Sequence, residues 1–538
     1  MTSIDTHHAA EVSAPTPAIA TWLTSADHKI VGRLHIGAGL TGLLFGLIVA
    51  VLVAFERIDA NGFQILDEGA ATQALALARN LLTFGGVLPL LLGLAVAVLP
   101  LQIGSRSLSF PRLAASGFWL WLTGLGLMVA SIFGNGGPGG GDSDLVDLYL
   151  AAFVVMLIGV AMTATSITVT ALTSRAPGMG LLRAPLFSWS SLVGAVSLLI
   201  TVPVLIGTTV YVYVDHRYAR LGFGGNKGVN EWIGWATSQP FTYLLAIPAL
   251  GIALDAVPVL TRRRLVERPI AFVLLGVVAI SGVSVVTQTT VTLPWGGDGF
   301  FGGLGTKIAD LLPFFLLNVL PVVGILALVG LVLLSLKEGK PRIAAPLVFV
   351  VLGLIGILEG AAAMILRTIE DAGLAGTIFE AGEYVGITFG AAAVAFGGIC
   401  YWGPKLWGRR IPDKAAIPLA LVAFLGTVLG SVPYMIAGFA DQPAGVLDGF
   451  EYSGPQELWN ALTAVGFVLM LLATVAFIAL AAKSFLTGES AGDDPWDGST
   501  LEWATSSPPP DDNFTDVFVV HSSEPLADMK ASSTGKDA

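Results

Sequence analysis

Charged residues are scarce in this sequence, although the chain is long. Lys, Arg, Asp and Glu make up 12% of its 538 residues, whereas 54% of the residues are apolar. Soluble globular domains carry about 25% charged residues, because their surfaces face water. The composition therefore excludes a water-soluble domain and predicts a protein that crosses a membrane many times.

Cysteine and the features of a signal peptide are also nearly absent. Cys400 is the single cysteine, so no internal disulfide can form, and we expect it to be a small core residue. The first 27 residues lack a short apolar segment behind a basic start, so we expect no cleaved signal peptide. The net charge of −11 lies largely in acidic loops, which a solvated outer face explains. We therefore expect no nucleic-acid partner.

Long apolar runs dominate what remains. Windows of about 20 apolar residues are long enough to span a bilayer as helices. Twelve such windows are found, at 33–55, 77–101, 115–134, 146–172, 187–213, 235–260, 269–293, 308–336, 343–366, 377–402, 415–437 and 457–485. We predict an all-α polytopic membrane domain of twelve transmembrane helices over 28–486, between a polar segment 1–27 and a tail 487–538.

The basic residues predict the orientation of this domain. Lys and Arg concentrate in the connections after even-numbered windows, for example "TRRRLVER" (261–268) and "WGPKLWGRR" (402–410). Basic loops remain in the cytoplasm, so we expect both termini to be cytoplasmic and the protein to be integral to the plasma membrane. The polar, proline-rich tail is expected to lie extended on that face, with Trp496 and Trp503 docking it.

Six stretches resemble one family in order and spacing. They are "WLTSADHKIVGRL" (22–34), "PLQIGSRSLSFPRL" (100–113), "RAPGM" (175–179), "PLFSWSSLVGAVSLLITVPVL" (185–205), "YWGPKLWGRR" (401–410) and "DPWDGSTLEWATSSPPPDDNF" (494–514). Together they resemble subunit I of the cytochrome c oxidases, in the haem-copper oxidase superfamily. The resemblance implies twelve helices in three arcs around pores. It also implies partners like oxidase subunits II and III.

The resemblance also implies where haem ligands would lie. The family holds a low-spin haem with two histidines and a high-spin haem with one. The low-spin positions fall on Ala78 and Val385, and the high-spin position falls on Glu383. The six histidines of this chain all lie elsewhere. We therefore expect no bound haem, although the carboxylate of Glu383 leaves a high-spin iron ligand open as an alternative.

The copper site of the family is altered in the same way. Its three histidine positions fall on Gln239, Gln288 and Thr289, whose neutral side chains are poor copper ligands. The proton-relaying glutamate falls on Phe241, and only the family tyrosine is retained, as Tyr243. Without copper we expect Tyr243 to be an ordinary aromatic residue with a hydrogen-bonded hydroxyl.

The residues that support this chemistry in the family also differ here. The two polar positions at the proton entry fall on Val96 and Ser107, and the arginines that hold the haem propionates fall on Ala444 and Gly445. The eighth window lacks the family lysine. The resemblance therefore implies that ligands, proton paths and propionate contacts have all been lost.

Buried charges suggest what replaces the haems. We predict that Arg79 pairs with Glu383 or Glu359 in a polar cluster, because a charge at membrane depth must be paired or wet. A structural role is favoured, and a proton or ligand site is the alternative. Asp255 and Asp310 lie near helix ends, where solvation is expected to suffice.

Three functions follow from these observations. The favoured one is a pseudoenzyme, a non-catalytic scaffold in a respiratory electron-transport complex, beside oxidase subunits or an active subunit I paralogue. The others are an oxidase or nitric oxide reductase with unorthodox ligands, and a transporter or sensor for protons, ions or a lipophilic ligand. No cofactor is expected. The vacated space is filled by helix collapse, by bulkier side chains, or by membrane lipid or a quinone-like molecule.

Overall fold

The computed structural model describes most of the chain. Residues 18–59, 65–220, 222, 239–283, 312, 315–367, 369, 372–447, 450–452, 454–515 and 518–533 are described. Within these ranges the architecture is all-helical and is built around one large apolar core.

Eleven helices of the described residues are long and apolar enough to cross a membrane. A twelfth, shorter apolar helix lies between the sixth and the seventh of these in chain order and is numbered α7. The twelve are α1 (His28–Glu56), α2 (Gly69–Gln102), α3 (Pro111–Phe133), α4 (Ser143–Thr173), α5 (Leu186–Arg217), α6 (Phe241–Thr261), α7 (Arg268–Val283), α8 (Phe315–Glu338), α9 (Ala345–Arg367), α10 (Phe379–Trp407), α11 (Asp413–Gly438) and α12 (Gln456–Thr487).

The predicted all-helical membrane fold is thus confirmed for the described residues. The seventh window, 269–293, begins as α7, but its residues from 284 onward lie outside the described part of the chain. Whether α7 continues across the bilayer stays a prediction.

Helices α2 and α10 lie at the centre of the molecule. The most apolar part of each is completely buried, whereas only 39% of the corresponding part of α3 or α12 is buried. The apolar residues that α3 and α12 expose are suited to contact lipid, because no water-facing polar side is present. The positions that the resemblance assigns to haem ligands on α2 and α10 therefore fall on the two innermost helices.

Helices α9 and α10 approach each other closely at a pair of glycines. A Cβ atom on Gly353 would lie 2.6 Å from the carbonyl oxygen of Gly390, and a Cβ atom on Gly390 would lie 2.6 Å from that of Gly353. Small residues allow helix backbones in membranes to pack at this distance. Any larger side chain must push the two helices apart.

Replacing Gly390 by alanine is therefore expected to lower the free energy of unfolding in mild detergent by about 1–3 kcal/mol. Gly330 on α8 is the matched control, because a Cβ atom there meets no atom within 4 Å. Gly330→Ala should leave stability unchanged or raise it, since alanine favours helices. Equal melting temperatures for the two variants would contradict the close packing of α9 on α10.

The tail and the start of α1 lie on the same face of the protein. His28 Nε2 is 3.0 Å from Asn513 Oδ1, and Lys29 donates a hydrogen bond of 3.1 Å to the carbonyl of Asp511. The side chain of Asn513 also donates to the carbonyl oxygen of Ser105, at the end of α2. The two ends of the described chain therefore meet on one side of the membrane domain.

Trp496 and Trp503 of the tail are both buried. Trp496 donates a hydrogen bond of 2.9 Å to the carbonyl of Tyr401, and the guanidinium groups of Arg342 and Arg410 lie 5.3 and 4.9 Å from its ring centre. Aromatic and cation–π contacts of this kind fix a segment that has little regular structure. We predicted an extended tail; it also contains a helical turn at Leu501–Ala504 and a helix at Pro525–Ser533.

Candidate functional site

A cleft lies between α1, α2, α10, α11 and α12. Ala78 and Val385 both line it, and apolar residues such as Val53, Leu82 and Phe467 form most of its remaining wall. The cleft contains about 470 Å³ of space, part of it open to the surface. The two positions that the resemblance assigns to low-spin haem ligands therefore share one cavity.

The polar groups of this cleft do not fit a low-spin haem. Ala78 and Val385 offer methyl groups, which have no electron pair to give to iron. The Tyr384 hydroxyl is 2.6 Å from the Thr83 hydroxyl and donates to the carbonyl of Arg79 at 3.2 Å. Among the described residues that line the cleft there is no histidine or methionine, so they do not supply the pair of nitrogen or sulfur ligands that a low-spin haem takes.

Glu383 is held by a cation that the sequence analysis does not select. Arg367 Nε lies 2.8 Å from Glu383 Oε2, and Arg367 Nη2 lies 3.4 Å from Oε1, so both carboxylate oxygens accept bonds from one guanidinium. Glu380 is the second acid near this arginine, at 3.7 Å. A carboxylate whose two oxygens both accept hydrogen bonds from one arginine is a poor iron ligand, because its electron pairs are already engaged.

The predicted ion pair of Arg79 with Glu383 or Glu359 is not observed among the described residues, although the charge of Arg79 still acts on Glu383. Arg79 makes no ion pair within 4 Å among the described residues, and its guanidinium lies 5.3 Å from the centre of the Tyr384 ring instead. Glu359 accepts a hydrogen bond of 2.5 Å from the Ser431 hydroxyl. The three residues of the expected cluster therefore have three different partners.

The copper side is described only in part. The helix that contains α6 begins at Gln239, but the side chain of Gln239 is not described. Gln288, Thr289 and Asp310 lie outside the described residues. No group of three or more His, Cys, Asp or Glu residues that could hold a metal occurs among the residues with described positions.

Phe241 and Tyr243 of α6 are both described and both buried. The Phe241 ring lies 4.6 Å from that of Phe84 on α2, so it fills space between the two helices. The Tyr243 hydroxyl donates a bond of 3.2 Å to the carbonyl of Asn318. Both side chains therefore have ordinary structural partners.

The positions of the expected supporting residues have local roles. The Val96 carbonyl lies 3.2 Å from His28 Nδ1, and the Ser107 hydroxyl donates to the carbonyl of Leu108. The Ala444 carbonyl accepts a bond of 2.7 Å from Arg57, a residue that the sequence analysis overlooks. Gly445 has open space where a side chain would project.

A second polar cluster lies where the tail meets the ends of α2 and α6. Gln102 Nε2 donates to Asp255 Oδ2 at 2.9 Å and to Glu502 Oε1 at 3.1 Å. Asp255 also accepts bonds from the backbone N–H groups of Leu186 and Phe187, which begin α5. The expectation that Asp255 is simply solvated is wrong, because it caps a helix.

Glu502 is the buried acid of this second cluster. Its Oε1 also accepts a bond of 3.3 Å from Trp402 Nε1, whereas its Oε2 is buried without a hydrogen-bond partner. Burial raises the pKa of Glu502 to about 7, and the nearby Asp255 acts in the same direction. The tail is therefore bound through a carboxyl group that can change its charge near neutral pH.

Comparisons with known proteins agree with the sequence resemblance. Subunit 1 of cytochrome c oxidase from Corynebacterium diphtheriae is 28% identical, over 94% of this chain and 91% of its own length. Subunit 1 from Bacillus subtilis is 27% identical over 94% of this chain and 82% of its own length. A haem-copper oxidase subunit I+III from Aeropyrum pernix is 28% identical over 96% of this chain and 64% of its own length.

A family model confirms this relationship over most of the chain. The model is described as cytochrome c and quinol oxidase polypeptide I, and it matches residues 30–487. That range begins in α1 and ends at the last residue of α12, so it includes every membrane helix of the described structure. This chain therefore belongs to the haem-copper oxidase subunit I family.

Proposed function

We propose that this protein is a non-catalytic member of the family, which binds no haem or copper and acts as a scaffold in a respiratory membrane complex. One observation carries the proposal. Ala78 and Val385, the positions that the family resemblance assigns to the two low-spin haem ligands, line a single cleft in which none of the described lining residues is a histidine or a methionine. Low-spin iron needs an electron-pair donor on each face, so electron entry through that haem is lost.

The state of Glu383 supports the same proposal. Its carboxylate is buried and is paired with Arg367 through both oxygens. Binding of iron by this carboxylate would require breaking a buried ion pair, which costs about 3–5 kcal/mol. The pair therefore favours a structural role for Glu383 over a role as an unorthodox haem ligand.

The proposed partners are subunits that resemble oxidase subunits II and III, or an active subunit I paralogue. The Aeropyrum pernix relative is named as a subunit I+III, so in that protein the two subunits form one chain. The face that carries the tail retains extensive contacts, and we propose that it lies in the cytoplasm, with the protein in the plasma membrane. The protein would then bind neighbouring subunits through an intact surface, although its interior is altered.

Metal and subunit analysis of the native assembly tests this proposal. We expect the purified chain to show no Soret band and far less than one iron or copper atom per chain. We also expect it to copurify with other respiratory subunits in mild detergent. A Soret band with one iron per chain, abolished by Glu383→Gln, would instead establish an oxidase with unorthodox ligands. Isolation of the chain only as a monomer would contradict the scaffold role.

A further inference from the structure

Arg57, at the outer end of α1, is a buried cation that lines the cleft of Ala78 and Val385. The residue is only 2% exposed. Its Nη2 donates to the Ala444 carbonyl at 2.7 Å and its Nη1 to the Tyr434 hydroxyl at 3.4 Å, but its Nε is buried without a partner. A buried guanidinium is expensive unless an anion balances its charge.

Arg79 adds a second cation to the same cleft. None of the ion pairs among the described residues includes Arg57 or Arg79. Each guanidinium lies against an aromatic ring instead, that of Tyr434 at 5.5 Å and that of Tyr384 at 5.3 Å. Arg79 is half-buried, so the uncompensated burial concerns Arg57, and a ring contact offsets only part of its cost. An anion in the cleft would be stabilised by both guanidinium groups.

The rest of the cleft suits an apolar chain. Its wall consists mainly of Ala, Val, Leu and Phe side chains, and the cleft is partly open to the surface. A neutral quinone would contact the apolar part of the cleft but would leave Arg57 without an ion-pair partner.

We propose that this cleft binds an anionic amphiphile, with its carboxylate or phosphate group at Arg57 and Arg79 and its acyl chain between Ala78 and Val385. The proposal rests on the loss of the low-spin haem site. A charge-assisted bond from an arginine to a carboxylate or phosphate is among the strongest hydrogen bonds in proteins. Such a ligand would satisfy the free Nε of Arg57 and fill the apolar space in one binding event.

Displacement of a fluorescent fatty acid from the full-length, delipidated protein in mild detergent tests the proposal. Oleate and phosphatidylglycerol are the anionic probes, and oleyl alcohol and phosphatidylcholine are their neutral counterparts. We expect the anionic member of each pair to bind at least tenfold more tightly. Tight binding of oleate alone identifies a fatty acid, and tight binding of phosphatidylglycerol identifies a phospholipid headgroup.

Three variants separate this cleft from nonspecific binding. Arg57→Gln is expected to abolish the preference for anions, and Ala78→Phe is expected to block the chain without removing either charge. Arg220→Gln is the matched control, because Arg220 also lies over a tyrosine ring, that of Tyr218 at 5.8 Å, but outside the cleft. The Arg220→Gln variant should bind oleate with the same affinity as the wild type.

Two outcomes would overturn the inference. Equal binding of oleate and oleyl alcohol would show that the arginines do not select the head group. Unchanged oleate affinity in Ala78→Phe would show that the chain binds elsewhere. Haem recovered from the native protein would overturn the proposed loss of the haem site itself, so failure of the inference and failure of the proposed function give different results.

Discussion

Replacing Arg367 by methionine is expected to lower the free energy of unfolding by about 3–5 kcal/mol. The guanidinium of this residue binds both oxygens of Glu383, and Glu383 is only 4% exposed. Removing the cation leaves a carboxylate on a central helix without an opposite charge. Unfolding in mild detergent, followed by the apparent melting temperature and the yield of folded protein, measures the effect.

An exposed ion pair provides the control for this prediction. Arg263 and Glu338 are 3.1 Å apart, but their side chains are 54% and 42% exposed. Arg263→Met is therefore expected to cost less than about 1 kcal/mol. Similar losses in Arg263→Met and Arg367→Met would contradict the buried pair.

The double variant Arg367→Met/Glu383→Leu separates structure from chemistry at this position. It removes both charges, and apolar replacements of a buried pair are often neutral, so most of the lost stability should return. If Glu383 is only structural, this folded double variant should assemble normally and leave the activity of the complex unchanged. A folded variant that assembles but fails in activity would favour the proton or ligand site that the sequence left open.

The fold was largely predictable because membrane helices have a strong one-dimensional signal. About 20 apolar residues must occur together wherever a helix crosses lipid, and the backbone must satisfy its own hydrogen bonds there. Eleven of the windows correspond to helices with similar bounds. The exception is α7, which ends at the limit of the described residues.

The buried charges of the site were missed for a related reason. Apolar windows end at the first charged residues, so the window 33–55 stops before Arg57 and the window 343–366 stops before Arg367. In the structure each of these arginines projects back into the domain, one to the cleft and one to Glu383. Arg367 directly follows its window, and Arg57 follows its window after Glu56, so a cation within two residues of the end of an apolar window was the available signal.

The partners of Arg79 and Glu383 could not be derived from helix position alone. Residues at similar depth in the membrane can be read from the sequence, but the direction of each side chain cannot. Arg79 stacks on Tyr384, the residue next to Glu383, so the prediction placed the arginine close to the correct position on α10. The meeting of Ala78 and Val385, in contrast, followed from the family resemblance and not from any pattern in the residues.

Glu502→Gln is expected to remove the weakening of tail docking as pH rises and to make docking tighter above neutral pH. Burial raises the pKa of Glu502 in the docked tail to about 7, whereas the ordinary value is 4.5. The docked state therefore holds its proton to higher pH, and docking weakens as pH rises from 4.5 to about 7. Above about pH 7 the loss of docking free energy reaches about 3 kcal/mol, which corresponds to the difference between the pKa of Glu502 in the docked tail and its ordinary value.

Between about pH 5.5 and about pH 8 the wild-type tail should lose about 2 kcal/mol of docking free energy. Hydrogen exchange of residues 494–515 at the two pH values measures this loss, because undocking exposes their amides. Glutamine keeps an oxygen that can accept bonds from Gln102 and Trp402, and its amide replaces the unpartnered oxygen of Glu502. The variant should therefore lose this decrease in protection between the two pH values.

Glu524→Gln is the matched control for the pH dependence, because Glu524 belongs to the same tail but pairs with a well-exposed Arg264. Its tail should retain the wild-type dependence on pH. Other ionisable groups near Glu502 or in contact with the tail include Asp255, Tyr401, Lys405 and His28, which are unchanged in both variants. If Glu502→Gln keeps the pH dependence, another of these groups causes it. If Glu502→Gln loses the pH dependence and Glu524→Gln keeps it, a protonated Glu502 carboxyl group fixes the tail to the membrane helices.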